Sequence, residues 1–234
     1  IIKINNAKNF YDWADIYKKL VNLEFVLEKI NDKQLNEILL FQKQEANRGF
    51  VKFIKNNYLN WFKPNCENKP ILSPVIFKEK LFPIVDEGNK VVLIIIDNLR
   101  YDQWKAISSI ISEYYLIKEE FIYSSILPTA TQYARNAMFA GLMPKEIQNL
   151  YPNIWLYDDE EGAKNLKEED LFAFQLNRLG KKYKWHYEKI LNIKYSKKIS
   201  DQYTMFSNFD LTILVYNFID ILSHANTEIE VLRE

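Results

Sequence analysis

The chain is poor in the residues that staple or hinge a small protein: one cysteine, two histidines and five glycines in 234 residues. Cys66 alone cannot close an intramolecular disulfide, and a Cys₄ or Cys₂His₂ zinc site is excluded by count. Charge of either sign is also lacking in net terms. Thirty-one basic and 31 acidic side chains cancel, so no global positive field recruits nucleic acid and any anionic ligand has to be held by local groups. No apolar run approaches the roughly 20 residues that span a bilayer, and the amino terminus has no signal-peptide pattern; membrane insertion and secretion are not expected, and a cytoplasmic location is. The chain starts Ile1-Ile2-Lys3 without an initiator Met and stops at Glu234 inside a helical pattern, which reads as a fragment of a longer protein.

What is present is a 48% hydrophobic composition, enough for a packed core, arranged in two styles. From Asn9 to Phe62 apolar residues recur three or four apart: Phe10, Trp13, Tyr17, Leu20 and Val21, then Leu39, Leu40, Phe50, Phe53, Ile54, Tyr58 and Trp61. This predicts two antiparallel helices, the first capped by Asn9 or Asn6, separated by NDKQL and stopped at Pro64. The aromatic stripe is core or a homodimer face and carries no chemistry of its own. Three prolines in residues 64–74 mark a linker, and one more helix is expected over Pro74 to Val85, ended near Pro83. Strands and helices then alternate: VVLIII ending on Asp97, a helix over Tyr101 to Tyr114, an extended Tyr115 to Ser125, a helix over Gln132 to Ala140 closed by Gly141, a charged helix over Asp158 to Leu179, an ambiguous β-prone Lys182 to Ile199, and the strand DLTILVY. The expected organisation is a helical bundle at 1–66, a linker and helix at 67–86, and an α/β sheet domain at 87–234, truncated at its carboxyl end.

Three segments carry candidate chemistry. Val91 to Ile96 reads as a buried strand that delivers Asp97 at its carboxyl end, where open α/β sheets gather ligands; the plain alternative is a turn or N-cap acid. In LPTATQYARNAMFAGLMP, Thr129 and Thr131 stand where an extended segment meets a helix, and a helix start with its unpaired amides favours a phosphate oxygen. Either Thr could instead be an ordinary cap. Arg135, one turn after Thr131, could pair with phosphate or serve as a surface salt-bridge partner. In NFIDILSH, Asp220 and His224 at i, i+4 would project to one face, as two ligands of one metal do. His186, among alternating aromatics, reads as strand packing or surface.

Taken in order, VVLIIIDNLRYDQW, LPTATQYARNAMFAGLMP and VYNFIDILSH resemble the amino-proximal motifs of the PglZ domain, a branch of the alkaline phosphatase superfamily. FYDWADIYKKLVNLE and QKQEANRGFVKFI resemble the helical bundle that precedes PglZ in PorX-type response regulators, so the likeness spans nearly the whole chain. The resemblance implies an alkaline-phosphatase-like sheet and two zinc ions in the intact domain, with manganese as the alternative. Asp97 would ligate one ion, Thr131 would be the nucleophile bridging toward the metals, with Thr129 as the alternative, and Asp220 and His224 would ligate the other. Asn98 and Arg135 would hold phosphate oxygens. It further implies a phosphodiesterase or phosphatase acting on cyclic or linear oligonucleotides, controlled by a histidine kinase through a receiver outside this chain. Sigma-factor or secretion-system proteins would be partners. The superfamily's remaining ligands, an Asp-His pair and a further His, would lie beyond this chain and leave the fragment inactive. Two rival readings stand beside this one: a signalling and interaction module in which zinc is a structural staple, and an unrelated α/β domain.

Overall fold

The computed structural model describes residues 4–30, 32–155 and 167–217. They fall into two compact units, divided as the described residues of 4–70 with 105–124, and of 71–104 with 125–217.

In the first unit, α1 (Phe10–Ile30) and α2 (Lys33–Asn57) form the expected helix pair. Asn9 is the cap: its Oδ1 accepts from the amides of Tyr11 at 2.9 Å and Asp12 at 3.1 Å. The Asp12 carboxylate accepts in return from the amides of Lys8 at 2.7 Å and Asn9 at 3.1 Å. Those backbone bonds, Lys8 first, hold the Asp12 carboxyl below its ordinary value. The break at NDKQL is a second cap, with Asp32 accepting from Gln34 and Leu35. Trp13, Ile16, Leu20, Leu27, Leu39 and Ala46 make the core, with Phe50 and Phe53 against it. Gly49 lets the Trp13 ring lie on the α2 backbone, since a Cβ there would stand 2.5 Å from Trp13 Cη2. Tyr115 to Ser125, expected to be extended, forms no strand beyond an isolated bridge residue at Ser124; Glu120 in it pairs with Lys18 at 3.6 Å.

The second unit is built on three parallel strands, β1 (Val91–Ile96), β2 (Trp185–Ile190) and β3 (Leu211–Tyr216), in the order β1-β3-β2. Ile96 and Ile190 both stand opposite Tyr216, so the strands finish level. The sequence pattern makes β1 the buried strand, but β3 takes that place: it is central, whereas Val92 and Ile94 on the edge strand β1 are 47% and 55% exposed. One sheet face, through Leu211, Ile213 and Val215, packs on α3 (Phe82–Asp86), α5 (Thr131–Ala140), α6 (Pro144–Leu150) and α7 (Glu168–Arg178) by way of Phe82, Phe139, Ile147, Leu171 and Phe172. The other face, through Ile190 and Leu214, packs on Ile199 of α8 (Ile193–Asp201). α4 (Tyr101–Ser112) follows β1 as expected.

One sequence reading needs correction, and one left open is resolved. Pro83 does not end a helix over Pro74 to Val85. A π-turn at Phe77–Leu81, closed by the Phe82 amide on the Phe77 carbonyl, leads into α3, whose first turn holds Pro83, where no amide donor is needed. The ambiguous Lys182 to Ile199 splits at Asn192, whose side chain caps α8 by accepting from Tyr195, into β2 and a helix.

Candidate active site

The level strand ends are locked by backbone bonds: the Asp97 amide donates to Tyr216 O at 2.9 Å and the Asn217 amide to Ile190 O at 3.1 Å. Asp97 and Asn217 therefore stand side by side past the carboxyl ends of β1 and β3, the edge at which parallel sheets hold ligands. Asn98 follows at φ +62°, a left-handed turn that asparagine tolerates, and turns the chain away from the sheet.

Arg135 on α5 reaches this edge. Its Nη1 lies 2.6 Å from Asp97 Oδ2 and donates to Asn217 Oδ1 at 3.3 Å, and its Nε donates to Glu168 Oε1. Arg135 is 5% exposed and Glu168 0%, so this is a buried pair rather than a surface salt bridge. Burying charges costs several kcal/mol per ion unless each is paired and hydrogen-bonded. Glu168 meets that condition: Oε2 accepts from the Tyr187 hydroxyl at 2.7 Å and lies 3.4 Å from Lys189 Nζ. Burial, followed by the charge and hydrogen bond of Glu168, pushes the Tyr187 phenol above its ordinary value, which keeps it a donor.

The start of α5 is held by its end. Gly141, at φ +63°, closes the helix with its amide on Ala137 O at 2.9 Å, and Arg178 of α7 donates to the Ala140 carbonyl. At the front, Ala130 is the N-cap and no side chain caps the helix, so neither Thr is the cap the plain reading expects. Thr131 is the first helical residue and half-buried, while Thr129 is exposed in the preceding loop. The first amides of a helix have no carbonyl within it, so Thr131 stands at an end with donor capacity.

Of the predicted residues, Asp97 and Arg135 meet at this edge; Asn98 follows Asp97 in the chain, Thr131 begins the helix that carries Arg135, and Asp220 and His224 lie outside the described residues. No group of three or more His, Cys, Asp or Glu side chains that could hold a metal stands among the described residues. In kind, the Asp97 carboxylate and the Thr131 hydroxyl are hard oxygen donors of the sort that divalent cations take. His186 lies in β2, stacked on Phe209 with centroids 5.0 Å apart and 3.2 Å from Glu188.

Sequence reasoning missed Glu168, Asn217, Tyr187 and Lys189. Glu168 had a signal: it stands three, four and seven residues before Leu171, Phe172 and Gln175, all buried, so the acid lies on the apolar face of its own helix.

No helix among the described residues is long and apolar enough to cross a membrane. No individually curated protein matches the chain. Residues 1–62 match the PorX response regulator linker domain, and residues 76–234 match the BREX system PglZ alkaline phosphatase-like domain. Together these matches point to a phosphoesterase-like effector of a response regulator. Matched over well more than half its length and carrying an acid at the carboxyl end of a parallel strand, the chain belongs to the PglZ alkaline phosphatase-like domain family.

Proposed function

We propose that the chain carries the linker bundle and catalytic-domain sequence of a metal-dependent phosphoric ester hydrolase, the cytoplasmic effector of a two-component response regulator. The observation that carries this reading is the Asp97–Arg135 ion pair at 2.6 Å. It ties α5, the helix that begins at Thr131, to the strand end that bears Asp97, which supports reading Thr131, Arg135 and Asp97 as parts of one site.

Thr131 attacks phosphorus in line: a bond forms from its oxygen to phosphorus as the ester P–O bond breaks, and the threonine proton ends on the leaving oxygen, which departs as the alcohol. Water then attacks the phospho-threonine, releases phosphate or a monoester, and restores the hydroxyl. Arg135, Asn98 and the α5 amides hold the non-bridging oxygens. Asp97, Thr131, Asp220 and His224 would hold two zinc ions, or manganese, which supply Lewis acidity and a low pKa at a bound hydroxyl. Thr129, exposed one residue before the cap, is the alternative nucleophile. Nucleotide-type diesters, linear or cyclic, are the proposed substrates, and a histidine kinase and secretion or sigma-factor proteins the proposed partners.

A second reading, an interaction module with zinc as a structural element, is favoured by exposed apolar side chains on α1 and α2, among them Val26, Ile30, Ile38 and Phe41. Thr131→Ala and Thr129→Ala in the whole protein, assayed on bis(p-nitrophenyl) phosphate with metal content measured in parallel, separate the two. Turnover in Thr131→Ala should fall on the order of a thousandfold or more with metal retained. Unchanged turnover in Thr131→Ala removes its role, and a metal-loaded wild type with no turnover favours the interaction module.

A further inference from the structure

An arginine and a carboxylate ordinarily close side-on, with both oxygens on the guanidinium edge formed by Nε and Nη2. At Arg135 that closure is incomplete. Glu168 Oε1 takes Nε, but Oε2 is turned to the Tyr187 hydroxyl at 2.7 Å and Lys189 Nζ at 3.4 Å. Nη1 is engaged by Asp97 and Asn217. Nη2 remains, buried and without a hydrogen-bond partner among the described residues. A buried cationic donor left unsatisfied is costly, and the partner it fits best is an anionic oxygen.

We propose that Glu168 is the positioning residue for Arg135, and that Tyr187 and Lys189 keep the pair open by holding Oε2, so that Nη2 is presented to a phosphoryl oxygen. This rests on the reading of Arg135 as a phosphoryl-oxygen donor. The planar guanidinium has a single orientation in which Nε meets Glu168 and Nη1 meets the strand ends, and that orientation fixes where Nη2 points. Glu168 suits the task because it is fully buried on α7, beneath α5, where water cannot compete for its oxygens. Tyr187 and Lys189 are two residues apart on β2 and so rise from the same face of the sheet.

The test uses the whole protein, with inorganic phosphate as probe. Binding is measured by calorimetry, so it needs no turnover, beside KM and kcat on bis(p-nitrophenyl) phosphate and thermal midpoints. Arg135→Ala should weaken phosphate binding about tenfold or more, and Glu168→Gln by a similar factor. Glu168→Gln in the Arg135→Ala background should change it less than about twofold, since both act through one guanidinium. KM should rise in Glu168→Gln, whereas a merely structural loss lowers the active fraction and leaves KM and phosphate affinity unmoved. Tyr187→Phe retains the charges and frees Oε2 to close on Nη2; it should weaken phosphate several-fold, and it decides the matter if Glu168→Gln does not fold. Glu168→Gln with wild-type phosphate affinity, or equal effects with and without Arg135, overturns the positioning role while Arg135 keeps its own. Unchanged phosphate binding in Arg135→Ala overturns the parent reading, and this one with it.

Discussion

Replacing Gly141 with Ala tests how the candidate nucleophile is held in place. Gly141 closes α5 at φ +63°, and a Cβ there would run into the Gln175 amide, 2.8 Å from its Cδ and 3.1 Å from its Cγ. Gln175 is 2% exposed on α7, so its side chain is packed in the interior. The left-handed backbone costs a residue with a Cβ about 1–2 kcal/mol, and overpacking adds about 1–3. Reduced freedom of the unfolded chain returns about 0.4–1 kcal/mol, leaving a net loss of about 1–5, centred near 3. In urea, with a slope of about 1–3 kcal/mol per molar, the central values put the fall in midpoint at roughly 1 M. Gly88 is the control: at φ +85° it has nothing within 4 Å of its would-be Cβ, so Gly88→Ala should lose only the backbone part. Gly141→Ala combined with Gln175→Ala should cost less than the sum of the two. Equal losses at Gly141 and Gly88, or less than about 0.5 kcal/mol at Gly141, would refute the packing argument.

Asp12 sets an acid-side prediction: its folded carboxyl lies below 3.8, so its stabilisation is complete above that pH and fades as pH falls through the folded value. Asp12→Asn should flatten the fall in melting temperature below pH 3.8; coincident pH slopes for mutant and wild type would count against the cap. Gly49→Ala would gain about 1 kcal/mol on helix propensity alone, but the contact with Trp13 should turn that into a net loss of about 1 kcal/mol. The gain should reappear in a Trp13→Leu background, and a stabilised Gly49→Ala in the native background would show that the ring yields.

Legibility followed the range of the interactions. The helix pair was visible because its stripe repeats every three or four residues and its breaks carry capping chemistry in adjacent residues, Asn9 with Asp12 and Asp32 with Gln34. The strands ending at Asp97 and beginning at Asp210 were visible as apolar runs. Their ranking was not: burial on both faces belongs to the strand with neighbours on each side, and strand order is a long-range property. The π-turn before Pro83 escaped because a proline signals where a helix cannot continue, and equally where one can start.

The chemistry on offer is written in local order along the chain: a carboxylate closing an apolar strand, hydroxyls at a helix start, and an arginine one turn on, in an order that resembles a phosphatase family. The burial of Arg135 between Asp97 and Glu168, residues 38 and 33 positions away, and the completion of the network by Asn217, Tyr187 and Lys189 come from packing between distant segments. Local periodicity sets which face of a helix is apolar, but the partner of a buried charge is whatever residue the packed layers bring to it. In a triplet such as Glu168-Glu169-Asp170 that choice falls on the acid that lies on the helix's buried stripe.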